Sequence, residues 1–168
     1  MTFALILLGF GVALGVWWRY FRIDRPEMPP LSLPADDPLN LEATRKARES
    51  LGRFRALLRE PHKAAHAKVR FVSSSNEIEY LWSECRALRE TEIEVFYTTP
   101  PVTHSGRLER LHTHPLGDLV DWQIERSDGL YEGGFSMLVM FERAREQWGG
   151  LPPELEALER RYRTGHAP

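Results

Sequence analysis

The first eighteen residues of this chain contain no charged side chain, and apolar residues dominate them. As a helix this segment is about 27 Å long, close to the hydrocarbon thickness of a bilayer. Aromatic residues and an arginine follow it, as at a membrane interface. The pattern predicts a single-pass transmembrane helix with an aromatic belt over residues 1–21, typical of a bacterial membrane protein and anchored by Leu5, Leu8, Trp17, Trp18 and Arg19.

Two other interpretations of this segment are open. A cleaved signal peptide needs basic residues before its apolar core and a small-x-small site after it, and neither occurs here. A core helix that is apolar on every face would have to be enclosed on every side by a domain of modest size.

The flanking charges predict the orientation of such a helix. No Lys or Arg precedes it, whereas Arg19, Arg22 and Arg25 follow it closely. By the positive-inside rule, the soluble part is expected in the cytoplasm, at the inner (plasma) membrane, with the lipid bilayer as a partner. Gly11 and Gly15 could let two such helices approach closely in a homodimer, although glycine is common in membrane helices in general.

The composition indicates one globular domain with appendages. The 22 Lys and Arg residues and the 24 Asp and Glu residues alternate along the chain and leave a net charge of -2. No nucleic-acid partner is therefore expected. Cys85 is the single cysteine, so an intrachain disulfide and a cysteine metal cluster are excluded.

Hydrophobic spacing predicts a spacer and then a helix. Five prolines lie between residues 26 and 38, and four of them fall in the spacer, residues 22–37, which we expect to be extended. Asp37 and Pro38 are typical of an N-cap and a first helical position. Apolar residues then recur at helical spacing up to Pro61, which predicts a helix over about 38–60.

After this helix the apolar residues alternate with charged ones, which predicts β-strands. Two runs, Ala67 to Phe71 and Ile78 to Trp82, predict a hairpin with the apolar residues inward and a charged outer face. A third strand is predicted at Ile93 to Tyr97. Weaker runs at Leu108 to His112 and Leu119 to Ile124 extend the sheet.

Helical spacing returns after Gly133 and Gly134, which allow a sharp change of direction before a helix of about three turns. A short charged helix from about Pro153 to Tyr162 is expected at the edge of the domain, partly frayed. The predicted fold class is thus α+β, with the transmembrane helix followed by a small antiparallel sheet packed by two main helices. The domain spans 38–150, and 151–168 forms a C-terminal short helix and tail.

The order of these features resembles the YegJ-like bacterial family, a domain of unknown function. The resemblance covers about two thirds of the chain and rests on the following residues: Lys46-Ala47-Arg48 with Phe54, Val69-Arg70-Phe71, Glu79-Tyr80-Leu81-Trp82, Asp121-Trp122 and Gly133-Gly134-Phe135-Ser136. The loop from Thr98 to Arg107 departs from the family pattern. The resemblance implies a small α+β domain and brings no reaction, cofactor or catalytic residue.

Few residues suggest chemistry. Asp121 beside Trp122 could act as an acid or base, or its carboxylate could accept backbone amides of the Gly133-Gly134 turn and fix the following helix. His112 and His114, with His104 nearby, could be imagined as metal ligands, but histidines beside a turn are the simpler interpretation. We expect no metal and no cofactor. The candidate functional or structural motif is Trp82, Asp121, Trp122, Gly133, Gly134, Phe135 and Ser136.

The function hypothesis is therefore a membrane-tethered, non-catalytic protein-interaction domain that binds a protein partner. An immunity or inhibitor protein and an accessory protein of a membrane complex are two specialisations of it. The alternative is a small enzyme that uses Asp121 as an acid or base together with the nearby histidines.

Overall fold

The computed structural model of this chain describes Leu31 and residues 37 to 165, with side chains up to residue 162. The predicted anchor at residues 1–21, including Gly11 and Gly15, lies outside the described residues, as does most of the spacer predicted at 22–37.

Within the described part of the chain, no helix has the length and apolar character needed to cross a bilayer. The longest, Phe135–Trp148, has 14 residues, which is about 21 Å at 1.5 Å per residue and too short for the hydrocarbon layer. The predicted fold class is corrected accordingly: among these residues the fold is α+β, with a six-stranded antiparallel sheet and four helices. The same finding contradicts the predictions of a single-pass membrane protein and of the inner (plasma) membrane.

The first helix, α1, is Pro38–Glu49 and begins as the sequence predicts. Asp37 is its N-cap, and its carboxylate accepts the amide of Leu39 at 2.8 Å. Proline fits the first turn because its missing N–H would have no partner there.

The second helix, α2, is Leu51–Leu57, so the single helix predicted over 38–60 is wrong. The chain breaks at Ser50, whose hydroxyl donates to the carbonyl of Lys46 at 2.8 Å. Such back-bonding by serine bends helices. The same hydroxyl accepts the indole N–H of Trp122 at 3.1 Å, so the break is tied to the sheet.

Six strands of the described chain form one antiparallel sheet, in the order β4-β3-β2-β1-β5-β6. They are β1 His62–Val72, β2 Ile78–Leu88, β3 Glu92–Phe96, β4 Leu111–Pro115, β5 Leu119–Arg126 and β6 Tyr131–Gly133. The predicted hairpin, the third strand and the strand from Leu119 are confirmed. β4 begins three residues later than the strand predicted from Leu108 to His112. β6 was not predicted, because three residues are too few to show an alternation.

One face of the sheet, the covered face, packs against α1 and α2. Its core contains Ala67 and Val69 of β1, Trp122 and Ile124 of β5, and Phe54 of α2. Because successive residues of a strand point to opposite sides, the alternate residues form the other face, which we call the open face.

β2 is turned the opposite way from the prediction. In the observed register Trp82 lies opposite Lys68 and Tyr80 opposite Arg70, so both aromatic side chains belong to the open face. Cys85 takes the inward position and is buried in the core. The alternation of side chains in β2 is confirmed, but its aromatic residues lie on the outer side of the sheet and not in the core.

The predicted charged outer face is wrong in β2 for the same reason, whereas Lys68 and Arg70 of β1 lie on the open face as predicted. Glu79 lies on the covered side, opposite Phe71, and its carboxylate accepts the amides of Val102 and Thr103 at 2.8 and 2.7 Å. These hydrogen bonds, with that of the Thr103 hydroxyl, lower the pKa of Glu79. This glutamate therefore holds the loop before β4.

Two helices complete the domain. α3, Phe135–Trp148, begins after Gly134 as predicted. α4 is Pro153–Gly165, which confirms the short helix predicted from about Pro153. Its Tyr162 is buried, and the hydroxyl of that residue donates to Gln123 at 2.6 Å. Gln123 points to the open face, so α4 covers that face at its β5–β6 end.

Candidate functional site

Asp121, the strongest candidate for chemistry, holds the N-terminus of α3. Its carboxylate is fully buried and accepts the amides of Trp122 at 2.8 Å, Phe135 at 3.2 Å and Ser136 at 2.7 Å. A negative charge is stabilising at a helix N-terminus. Burial raises the pKa of Asp121 to about 6, against the opposing effect of hydrogen bonds from Ser136 and Trp122. The arrangement is the structural one, in which the carboxylate fixes a helix on the sheet.

Trp122 locks the same junction from the covered face. Its indole N–H donates to the carbonyl of Ala47 at 3.0 Å, and its ring stacks on Phe54 with centroids 4.7 Å apart. Phe135 contacts the indole edge-to-face at 6.0 Å. Because all of these groups lie in the core, they contribute packing and offer no surface for a ligand.

Gly133 and Gly134 are needed by this packing. Both have positive φ, +81° and +68°, a region that side chains disfavour. A Cβ on Gly133 would lie 2.2 Å from the carbonyl oxygen of Trp122, and one on Gly134 would lie 2.3 Å from the ring of Tyr162. Six of the seven motif residues therefore form one β5–α3 junction, and Trp82 stands apart from it.

The histidines lie on the covered side of β4. The Tyr97 hydroxyl and His114 Nε2 are 2.6 Å apart, and His114 Nδ1 is 3.9 Å from Asp118. His112 packs against Tyr97 with centroids 5.0 Å apart. Burial raises the pKa of Tyr97 to about 12 and lowers that of His114. Both are therefore neutral near pH 7 and suit a buried hydrogen bond.

Asp121 is separated from these histidines by the sheet. It lies beside Lys68 on the open side of β5, whereas His114 lies beside Ile93 on the covered side of β4. His104 is drawn to the β1–β2 turn, where its Nδ1 accepts the amide of Ser74 at 3.2 Å. Among residue 31 and residues 37–165, no group of three or more His, Cys, Asp or Glu could hold a metal ion.

Two clefts of about 240 and 280 Å³ lie near the end of α2. Both are smaller than the usual ligand pocket of roughly 300 to 1,000 Å³. Cys85 lines the larger one, but burial raises the pKa of its thiol to about 12, so the thiol stays protonated and unreactive.

The open face is the remaining candidate, and it carries exposed apolar side chains in neighbouring positions of β1 to β4. Val72, Ile78, Tyr80 and Leu111 have between 41% and 51% of their surface exposed, and Trp82 and Phe96 are half-buried. We call these six residues the aromatic patch. The sequence analysis included Trp82 in the candidate motif but did not predict the aromatic patch, because it assigned the aromatic side chains of β2 to the core.

Cations border the aromatic patch. The guanidinium groups of Arg86 and Arg110 lie 5.1 and 5.9 Å from the centre of the Phe96 ring. Arg86 also pairs with Glu84 at 2.9 Å, whereas Arg110 has no ion pair within the part of the chain that the structure describes. Cations over an aromatic face are held by the quadrupole of the ring, so this border is preformed.

Comparison of the chain with protein-family models, with characterised proteins and with solved structures finds no match. The resemblance to the YegJ-like family therefore stays a prediction, and the geometry of the open face carries the functional conclusion.

Proposed function

We propose that this chain is a non-catalytic protein-interaction domain that binds a protein partner through the aromatic patch. The observation that supports the proposal is the orientation of β2, which directs Leu81, Ser83 and Cys85 to the covered face and Tyr80 and Trp82 to the open face. Contiguous apolar patches are uncommon on isolated soluble domains and mark sites of association.

The residues of the patch suit an interface energetically. Tryptophan, tyrosine and arginine are enriched among the residues that dominate binding energy, because each has a large surface and few rotatable bonds or a rigid polar head. Tyr80 and Trp82 lie in β2, and Arg110 lies over the Phe96 ring of the adjacent strand β3, so all three residue types are present. Burying the exposed part of each aromatic ring would stabilise a complex by roughly 1 to 2 kcal/mol.

Charge favours a protein over a nucleic acid as the partner. The net charge is -2, and two of the cations beside the patch, Arg70 and Arg86, pair with Asp118 and Glu84. Binding to phosphates requires many unpaired cations. A protein surface with apolar groups and a few carboxylates matches the patch better.

The enzyme hypothesis has weaker support, since its two parts are on opposite faces of the sheet and the Asp121 carboxylate is occupied by three amides. An immunity or inhibitor protein would be a specialisation of a protein-interaction domain, and it stays a prediction.

The test is affinity purification with the full chain and with the Tyr80→Ala/Trp82→Ala variant. We expect one protein to be recovered in stoichiometric amount with the wild type and to be lost with the variant. The matched control is Leu41→Ala, which removes an exposed apolar side chain, 58% accessible, from α1. It should retain the partner.

The interaction must then be measured with the two purified proteins. Loss of both aromatic rings should weaken binding by about 100-fold, which corresponds to roughly 3 kcal/mol. A partner that binds the double variant as well as the wild type would refute the proposed surface. So would a partner that is lost with Leu41→Ala alone.

A further inference from the structure

We infer that the larger of the two clefts at the end of α2 binds a small phosphate-bearing ligand. The cleft has a volume of about 280 Å³ and is lined by Arg55, Leu58, Arg59, His62 and residues 85–88. It lies at the start of β1 and the end of β2, which is the end opposite to the turn that joins these strands. The inference goes beyond the binding of a protein partner and does not depend on the aromatic patch.

The cleft lies where β1 and β2 separate. Their pairing ends at His66 and Glu84, although residues 62–65 of β1 and residues 85–88 of β2 continue beyond that point. Each strand has a shift of register within this stretch, β1 against β5 and β2 against β3. A bulge bends its strand, so the two strands diverge. Within the described chain, the facing backbone groups of these stretches are therefore not paired in a ladder, and they border the cleft.

The cleft is positively charged. Arg55 is half-buried, and its guanidinium donates only to neutral groups, the carbonyls of Arg89 at 3.0 Å and Glu90 at 3.4 Å. Arg59 is exposed. Neither Arg55 nor Arg59 has an ion pair with a described residue, and no described Asp or Glu lines the cleft. A partly buried charge without a counter-ion is unfavourable, so a bound anion would stabilise this arrangement.

The carboxylates that are close in sequence pair with other arginines. Glu60 lies 3.8 Å from Arg53, and Glu84 lies 2.9 Å from Arg86. Because Arg86 has its own counter-ion, the anion would be held by Arg55 and Arg59. The imidazole of His62 adds a third polar group, since its Nδ1 donates to the carbonyl of Glu60 at 2.8 Å and its Nε2 stays available to a ligand.

The chemistry of the lining selects the ligand. Two guanidinium groups without counter-ions match the charge of a phosphate dianion, and their N–H groups match its tetrahedral oxygens. The rest of the lining includes the apolar side chains of Leu58, Ala87 and Leu88. The volume is below the usual range of ligand pockets, which excludes a nucleotide. The ligand is therefore inorganic phosphate or the phosphate group of a compound with few carbon atoms.

The probe is inorganic phosphate, titrated into the full chain at low ionic strength and followed by calorimetry. Arg55→Gln and Arg59→Gln should each weaken binding by about tenfold or more, since each removes a charge-assisted hydrogen bond. The matched control is Arg107→Gln, which removes an exposed arginine from the loop before β4. That loop contacts the β1–β2 turn through the hydroxyls of Ser74 and Ser105, so the control should bind within about twofold of the wild type.

A second measurement locates the bound anion. Addition of phosphate should shift the backbone amide resonances of residues 85–88 and leave those of β4 unchanged. Arg59→Gln alters an exposed side chain and should fold, so the test does not depend on Arg55→Gln alone. The inference would be overturned by the absence of binding at about 10 mM phosphate, by unchanged affinity in Arg59→Gln, or by shifts confined to other residues.

Glycerol phosphate and acetate distinguish the classes of ligand. Tighter binding of glycerol phosphate than of inorganic phosphate would support an organic phosphate as the ligand, and equal binding would support phosphate itself. Acetate that binds as tightly as either would overturn the choice of a phosphate group, because a single negative charge would then suffice.

Discussion

Two tryptophans in the same sheet have opposite surroundings. Trp122 on the covered face is 1% exposed, its N–H has two acceptors and its ring is stacked on Phe54. Trp82 on the open face is half-buried, and its indole N–H has no acceptor within the described chain. The residue type is the same, so the difference comes from which half of each strand faces the helices. Burial of Trp122 stabilises the fold, and exposure of Trp82 leaves a surface to be covered.

Gly133→Ala should have the largest effect on the packing of the covered face. The added carbon would lie 2.2 Å from a backbone oxygen and 2.6 Å from the indole of Trp122, and neither group can move without disturbing the core. We expect no folded protein by circular dichroism.

The control for this glycine is Gly149→Ala. Gly149 has a similar φ, +75°, with nothing within 4 Å of the added carbon. This variant should lose about 1 to 2 kcal/mol of unfolding free energy, the cost of a left-handed backbone alone. Equal losses for the two variants would show that contact with Trp122 is unimportant.

Truncation of each tryptophan tests the comparison directly. Trp122→Ala should lower the free energy of unfolding by about 3 to 5 kcal/mol, because it leaves a cavity and removes two hydrogen bonds. Trp82→Ala should cost about 1 kcal/mol or less. Urea denaturation measures both, and a larger loss for Trp82→Ala would place this residue in the core and remove it from the aromatic patch.

Asp121→Asn should have a smaller effect, at the β5–α3 junction. We expect a loss of about 1 to 3 kcal/mol at pH 7, since one amide of α3 loses its acceptor. The exposed Asp128, which accepts the amide of Leu130 at 3.0 Å, is the control. Asp128→Asn should change stability by less than about 0.5 kcal/mol because water replaces the interaction.

The pH dependence of the same variant has a defined sign. The pKa of Asp121 rises on folding from 3.8 to about 6, so the folded state binds more protons between these values. The stability contributed by this group is present below pH 3.8 and is lost as the pH rises through about 6. The advantage of the wild type over Asp121→Asn should therefore shrink by about 3 kcal/mol across this range. A constant difference would contradict the raised pKa.

The sequence predicted most strands and helices because alternation and helical spacing are local patterns. It predicted the Asp37 cap for the same reason, since both partners lie within two residues. It did not predict the break at Ser50, which depends on Trp122, a residue 72 positions away.

The candidate site was harder to predict. Alternation in β2 shows two faces but does not show which one the helices cover. The neighbouring strand decides this, because Ala67 and Val69 of β1 are buried and their partners in β2 must follow. Because Tyr80 and Trp82 are large and apolar, they were predicted to lie in the core. The smaller residue Cys85 lies there instead.

β4 is the terminal strand of the sheet among the described residues, and Pro115 limits what its unpaired edge could offer to a further strand. The backbone groups of Leu111, Thr113 and Pro115 point away from β3, so this edge has two free amides and three carbonyls over about 17 Å of chain. Backbone contacts of that number, at about 1 kcal/mol each, do not by themselves give slow dissociation. The residence time of a bound protein on this domain would then be set by the side chains that the aromatic patch contacts. Partners that have only an extended backbone in common would exchange rapidly.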